Sequence, residues 1–286
     1  MTPRKNLRAM IEKNELVQAP GVFDALSAKI VQAQGFNTVY MTGYGTCASM
    51  FALPDLGLLT MTEMVDNARR IADAVDIPLI ADADTGYGNP INVVRTVREF
   101  EKAGVAAIHI EDQTWPKRCG HMSGKSVIPA AEMAEKIKAA VDARKNQDFL
   151  IIARTDALGT DGFDHAMERA NLYAESGADI LFIEAPVDRT QVENIPRHFT
   201  KAPLLLNLAP LTPNFSRDEI SSMGYAIVIY PGVCLAGAIE GCTHELKQIK
   251  DTGKQREFRE WAQSFQALNT FLGVPYYREL GERYKG

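Results

Sequence analysis

A chain of 286 residues has room for one α/β barrel or two ordinary domains, and its 46% hydrophobic and 23% charged composition is that of a soluble globular protein. A formal net charge of −5 argues against general affinity for nucleic acid or an acidic membrane surface. The longest apolar runs, such as Phe149-Leu150-Ile151-Ile152-Ala153, fall far short of a bilayer span.

Short apolar runs alternate with amphipathic ones along the chain. Strands are predicted at Leu16–Val22, Thr38–Thr42, Ile77–Asp84, Ala106–Glu111, Phe149–Thr155, Ile180–Glu184, Pro203–Leu208 and Ala226–Tyr230. Helical patterns lie between them. Pro90–Ala103 opens on a proline and is followed by Gly104, Pro129–Arg144 ends in basic residues, and Phe163–Ser176 is followed by Gly177. Strands that read as continuous apolar runs, each followed by a helix, indicate a parallel sheet covered by helices. Eight such units in about 240 residues predict a closed (β/α)8 TIM barrel. A doubly wound open sheet is disfavoured, because Gly21-Val22-Phe23-Asp24 after the first strand is not a Gly-rich phosphate loop.

No linker or internal repeat divides the chain, so residues 1–286 are expected to form a single barrel domain with 250–286 as a helical C-terminal extension. That tail contains a predicted helix, Gln255–Phe271, then the Gly- and Tyr-rich Gly273–Tyr284, and suits packing on a partner subunit. The cysteines at 47, 119, 234 and 242 form no CxxC pair, and Met1–Leu7 carries no apolar signal region. A cytoplasmic protein with reduced thiols is expected.

In such a barrel the chemistry sits at the C-terminal strand ends. These ends carry Asp24, Thr42-Gly43-Tyr44, Asp82 and Asp84, Glu111-Asp112, Arg154 with Asp156, Glu184, Asn207 and the Tyr230-Pro231-Gly232 turn. Asp82 and Asp84 are two apart and would share one face of a strand. With Glu111, and Asp55 on a loop, they make a hard-oxygen set suited to Mg²⁺ or Mn²⁺ retaining waters; helix capping or pairing with Arg154 and Lys117 is the alternative. Cys119 lies in Lys117-Arg118-Cys119-Gly120-His121, where neighbouring cations are expected to lower the thiol pKa for proton transfer or attack on carbon. Zinc on Cys119 and His121 lacks credible further ligands. His109, inside an apolar strand, reads as a hydrogen-bonded core residue, and Tyr44 as either a ligand-facing phenol or a packing group.

Together these residues resemble the isocitrate lyase/phosphoenolpyruvate mutase superfamily, from about Asn14 to Leu246. The resemblance rests on Pro54-Asp55-Leu56-Gly57, Asp82-Ala83-Asp84-Thr85-Gly86-Tyr87-Gly88, His109-Ile110-Glu111-Asp112-Gln113, the 117–121 loop, Ala153-Arg154-Thr155-Asp156-Ala157 and Glu184-Ala185. It implies a (β/α)8 barrel whose eighth helix is swapped between subunits of a homotetramer, a dimer of dimers. It implies Asp82 as a direct Mg²⁺ ligand, with Asp55, Asp84 and Glu111 holding the metal's waters. Thr42, Gly43 and Tyr44 would cradle the substrate carboxylate and adjacent oxygen, Arg154 would bind the 2-oxygen, and Glu184 and Asn207 would border the other side. Lys117, Cys119, Gly120 and His121 would form a gate.

Mutase and phosphonopyruvate hydrolase members lack the cysteine, which carbon–carbon lyases carry as general acid. The resemblance therefore implies a Mg²⁺-dependent lyase. Its small di- or tricarboxylate substrate, a 2-hydroxy acid of the 2-methylisocitrate or alkylated-malate type, would yield an α-keto acid such as pyruvate and a second carboxylic acid. Met122 stands where methylisocitrate lyases usually carry arginine, which leans toward a smaller dicarboxylate, as in the dimethylmalate lyase-like branch. Oxaloacetate hydrolysis or decarboxylation is the alternative on the same platform. A thiol-based redox or binding protein would leave Asp82, Asp84, Glu111 and Arg154 without a role.

Overall fold

The computed structural model describes residues 2–199, 202–255 and 265–285. Eight strands close into a barrel in chain order: β1 (Val17–Val22), β2 (Val39–Met41), β3 (Leu79–Asp82), β4 (Ala107–Glu111), β5 (Leu150–Thr155), β6 (Ile180–Ile183), β7 (Leu204–Asn207) and β8 (Ile227–Tyr230). All pairings are parallel, and β8 returns to β1 through Val17↔Ile227 to Pro20↔Tyr230. Each predicted strand is present, trimmed at its ends. The largest trim is at β3, which stops at Asp82 instead of Asp84. Asp84 turns into the left-handed region, at φ 48°, and its N–H donates to Asp82 Oδ1 at 2.9 Å. The helices Pro90–Lys102, Ala130–Ala143 and Phe163–Glu175 lie within a residue of expectation.

Alternation along each strand divides the core into two layers. Inward positions such as Val17, Ala19, Ile80, Leu150, Ile152, Phe182, Leu205 and Ile229 fill the barrel. Outward positions such as Ile108, Ile110, Ile151, Leu181 and Val228 pack with Ile71, Phe100, Ile137 and Tyr173 on the surrounding helices. A helix that the sequence reading did not anticipate, Pro3–Glu12, covers the N-terminal end of the barrel. Its Leu7 joins the interior layer, and Arg4 Nε donates to the Val105 carbonyl, just ahead of β4, at 2.8 Å.

Residues up to Ala236 form one compact unit and those from Gly237 another. The helix Val233–Thr252 has no buried residue. In the tail, the predicted Gln255–Phe271 helix is seen as Phe265–Phe271; Gln255 is not helical, and 256–264 lie outside the described residues. The Gly- and Tyr-rich stretch contains a helix, Val274–Arg283, opened by Gly273 at φ 88° and Pro275 near its start. Among the described residues no helix is long and apolar enough to cross a membrane.

Directly beyond β4, Asp112 continues the outward parity of Ile108 and Ile110 and is buried against the helix Phe163–Glu175. Its carboxylate accepts from Thr155 Oγ1 at 2.7 Å, Tyr173 OH at 2.8 Å and the Asp156 N–H at 2.9 Å, and pairs with Arg169 at 3.3 Å. Asp112→Ala strands these donors and is expected to cost about 2–4 kcal/mol. Thermal unfolding should show a Tm several degrees lower, and an unchanged Tm would mean that the donors find other partners.

Candidate active site

One inward step above the apolar layer, the same alternation delivers polar side chains to the barrel mouth. Thr42 follows Tyr40, Asp82 follows Ile80, Glu111 follows His109, Arg154 follows Ile152, Glu184 follows Phe182 and Asn207 follows Leu205, and all six are buried. Strand register sets Asp82 beside His109 and Glu111 beside Arg154. These side chains line a cavity of about 300 Å³ with Tyr40, Tyr44, Asp55, Lys117, Cys119, Gly120 and His121. Of the predicted catalytic, substrate-binding and metal-binding residues, all line this cavity except Gly43, whose N–H lies against Asp82, and Asp84, which stands behind Lys117.

The buried Lys117 ammonium lies 2.5 Å from Asp55 Oδ1 and 2.6 Å from Asp84 Oδ1. Burial alone would lower its pKa, but Asp84, Glu111, Asp82 and Asp55 outweigh that and hold it well above the ordinary lysine value. Burial likewise opposes ionisation of Asp82, and His109, Lys117 and Arg154 together reverse it, bringing that carboxyl below its usual pKa. Burial takes His109 down to about 4, so the ring is neutral at pH 7, and the lasting pull on Asp82 comes from the two cations and the Asp84 N–H. As expected of a core histidine, His109 is hydrogen-bonded, with Nε2 2.8 Å from Tyr40 OH.

Asp84 and Glu111 go the other way. Burial pushes Asp84 up to about 7 against the pull of Lys117, and pushes Glu111 well above the carboxylate range against Arg154 and Lys117. Glu111 Oε1 has no hydrogen-bond partner. Among the described residues no three His, Cys, Asp or Glu side chains enclose an ion by themselves. The set fits a hard divalent cation held by one direct carboxylate and intervening waters: its donors are all oxygen, one is unpartnered, and added positive charge would return Asp84 and Glu111 to the ionised form.

The 117–121 segment sits in a loop with a pinned base. Gln113 and Val127 form an antiparallel bridge, and the Gln113 side chain clamps Arg118, accepting its N–H at 2.9 Å and donating to its carbonyl at 2.8 Å. Gly120 is pressed onto the barrel. A Cβ there would lie 2.5 Å from Arg154 Nη2 and 2.6 Å from Glu184 Oε1, so only glycine fits. His121 Nε2 lies 3.0 Å from Glu184 Oε1, and Asn207 Nδ2 donates to both Glu184 oxygens at 3.2 Å.

The expected thiol-activating environment is not what forms. Lys117 turns to the carboxylates, and exposed Arg118 donates to the Ser123 carbonyl at 3.1 Å. Cys119 is partly buried, and that burial raises its pKa, against the His121 N–H, which lowers it. The sulfur thus holds its proton at neutral pH.

Arg154 is the hub of the opposite wall. Nε donates to Asp156 Oδ2 at 2.9 Å, Nη2 lies 3.4 Å from Glu111, Nη1 lies 3.7 Å from Glu184, and the guanidinium sits 5.1 Å from the Phe182 ring centre. Burial would lower its pKa, but Asp156, Glu184 and Glu111 raise it well above the ordinary value. Burial opposes ionisation of Asp156 too, yet Arg154 and Lys125 bring it down to about 2. On the rim, Thr42 Oγ1 caps the helix Gly43–Phe51 by accepting the Gly45 N–H at 3.3 Å. The Gly43 N–H donates to Asp82 Oδ2 at 3.3 Å, an approach that a Cβ at 43 would block at 2.5 Å. Tyr44 is 45% exposed at the edge.

Sequence reasoning passed over Tyr40 and Lys125, whereas Pro231 and Gly232 of the expected strand-end turn do line the cavity. Tyr40 was accessible from parity, two residues before Thr42. Lys125 gave no local signal, because its partner Asp156 is 31 residues away.

A family model for phosphoenolpyruvate phosphomutase matches residues 7–250, and the chain belongs to this phosphoenolpyruvate mutase/isocitrate lyase superfamily. The chain is 43% identical over 286 residues to 2,3-dimethylmalate lyase of Eubacterium barkeri, covering 99% of each. It is 45% identical over 253 residues to 2-methylisocitrate lyase of Aeropyrum pernix, covering 88% of this chain and 81% of that one. Among solved structures, oxaloacetate acetylhydrolase bound to 3,3-difluorooxalacetate superposes with a TM-score of 0.93 at 37% identity, covering 98% of this chain and 96% of that one. Phosphonopyruvate hydrolase with oxalate and Mg²⁺ superposes with a TM-score of 0.91 at 31% identity, covering 99% of each.

The raised thiol pKa has a direct reactivity consequence. In chelator, alkylation of Cys119 by iodoacetamide should keep accelerating with pH beyond about 8.5, where a free cysteine is half ionised. Peptide mass spectrometry across pH 6–10 measures it. A midpoint at or below the free value would mean that the loop activates the thiol after all.

Proposed function

We propose that the chain is a Mg²⁺-dependent carbon–carbon lyase that cleaves a 2-hydroxy dicarboxylate into an α-keto acid, such as pyruvate, and a second carboxylic acid. The observation that carries this reading is the partly buried Cys119 thiol on the wall of a cavity whose other walls hold buried carboxylates and the Arg154 guanidinium. Asp82 directly, with Asp55, Asp84 and Glu111 through waters, would hold Mg²⁺, or Mn²⁺, which when bound supplies Lewis-acid polarisation of the substrate's 2-oxygen.

Arg154 binds the 2-oxygen and stabilises the negative charge that develops there as the hydroxyl proton passes to water, which balances the proton that solvent later returns to Cys119. Thr42, Gly43 and Tyr44 hold the adjacent carboxylate, and Glu184 and Asn207 border the other side. When the C2–C3 bond breaks, the 2-oxygen becomes a carbonyl and the bonding pair stays on the departing carbon as an enediolate-like carbanion. Cys119 gives its proton to that carbon, and the thiolate regains one from solvent. Lys117 balances Asp55 and Asp84, while Gly120 and His121, seated against Arg154 and Glu184, keep bulk water from quenching the carbanion.

An uncharged Met122 on the cavity wall supports an alkylated malate over the tricarboxylate 2-methylisocitrate. The likeness to oxaloacetate acetylhydrolase supports a second reading, oxaloacetate hydrolysis or decarboxylation. A homotetramer with exchanged helices is supported by Val233–Thr252, which buries nothing and leaves Ile239 57% and Leu246 66% exposed.

Incubation with Mg²⁺ and a panel of 2- and 3-alkylated malates, methylisocitrate and oxaloacetate should release an α-keto acid and its co-product, identified by mass, from an alkylated malate fastest. Acetate plus oxalate from oxaloacetate alone would replace the lyase reading with the hydrolase. Cys119→Ser should slow cleavage by roughly 10²–10⁴-fold, while substrate affinity by calorimetry stays within about threefold of the parent. Full activity in that variant would remove the general-acid role. Chelation should abolish turnover and Mg²⁺ restore it, whereas indifference to both would sink the metal assignment.

A further inference from the structure

Glycine at 120 gives the loop tip no side chain with which to hold itself against the barrel. Lys117 on Asp55 and Asp84, the Cys119 N–H on the Asp55 carbonyl at 3.2 Å and His121 against Glu184 hold either side of the tip, and the tip's own carbonyl is held by Lys125, five residues on. Its side chain is 6% exposed, and its ammonium donates to the Gly120 carbonyl and to Asp156 Oδ1, the latter at 2.7 Å. Asp156 is wholly buried and fixed from two other directions. It accepts from Arg154 Nε at 2.9 Å, and its N–H donates to Asp112 at 2.9 Å. The ammonium therefore bridges the loop tip to a carboxylate locked into the end of β5.

We propose that Lys125 is a positioning residue, a latch that clamps the 117–121 loop onto the Arg154–Asp156 pair and so fixes Cys119 over the cavity. The kinetic part rests on the lyase reading above; the placement of the loop does not. Lys125 touches none of the reacting atoms. Its removal leaves Asp156 paired with Arg154 at 2.9 Å, while the loop tip loses its tie to that carboxylate. A thiol displaced by an ångström or so protonates a carbanion poorly even when the substrate still binds.

The test compares the full-length parent with Lys125→Met and Lys125→Arg. Iodoacetamide labelling is followed peptide by peptide at Cys119 and at buried Cys47. Lys125→Met should label at Cys119 at least tenfold faster with Cys47 unchanged, and Lys125→Arg, which keeps a cation for Asp156, should return most of the protection. Unchanged labelling at Cys119, or Cys47 rising in step with it, overturns the latch. On the substrate found by the acid panel, Lys125→Met should lose 10-fold or more in kcat with KM within threefold, and an unchanged kcat also overturns it. If the parent cleaves none of the acids, the lyase reading falls and the labelling result still decides the latch.

Discussion

The site depends on burying more carboxylate than cation at the mouth of an otherwise apolar barrel. Asp55, Asp82, Asp84 and Glu111 face Lys117 and Arg154, and Arg154 is shared with Asp156 and Glu184. Desolvation makes such an excess costly, and the carboxyl groups answer it unequally: Asp82 and Asp156 stay ionised, while Asp84 and Glu111 are driven toward the neutral acid. That split marks where further positive charge is wanted. It also bears on the thiol, since Lys117 is committed to carboxylates and Arg118 turns outward to the Ser123 carbonyl.

The layered character of the site was legible in the sequence because a barrel strand has two faces and a period of two. Ile80-Asp82, Ile152-Arg154, Phe182-Glu184 and Leu205-Asn207 each read as an apolar interior residue followed by its polar neighbour one layer up. Strand positions and helix punctuation follow from the same local rules, so Pro90, Gly104 and Gly177 located helix ends within a residue.

What stayed hidden was set by contacts distant in sequence. Proximity along the chain suggested that Lys117 and Arg118 would act on Cys119, but side-chain length let Lys117 reach Asp55, 62 residues back, and fold burial decided the thiol pKa. The end of β3 was misplaced because the Asp82 side chain accepts the Asp84 N–H and turns the chain there, which period-two patterning cannot see. The helix Pro3–Glu12 carries an i, i+3, i+4 repeat in Leu7, Met10 and Ile11, all packed on the interior layer, and was hidden because its first residues were weighed only as a possible signal region.

Register pairs such as Asp82↔His109 and Glu111↔Arg154 also constrain how this scaffold can diverge. A substitution at any of these positions changes one group, whereas inserting or deleting one residue within β3, β4 or β5 would turn every later side chain of that strand to the opposite face. Glu111 would then meet the helices and Ile110 the cavity. New specificities are consequently reached by exchange of residues within the strands and by changes of length in the loops beyond them. The segment between Gln113 and Val127, closed at its base and lying beyond the strand ends, is where added or lost residues leave the strand register untouched.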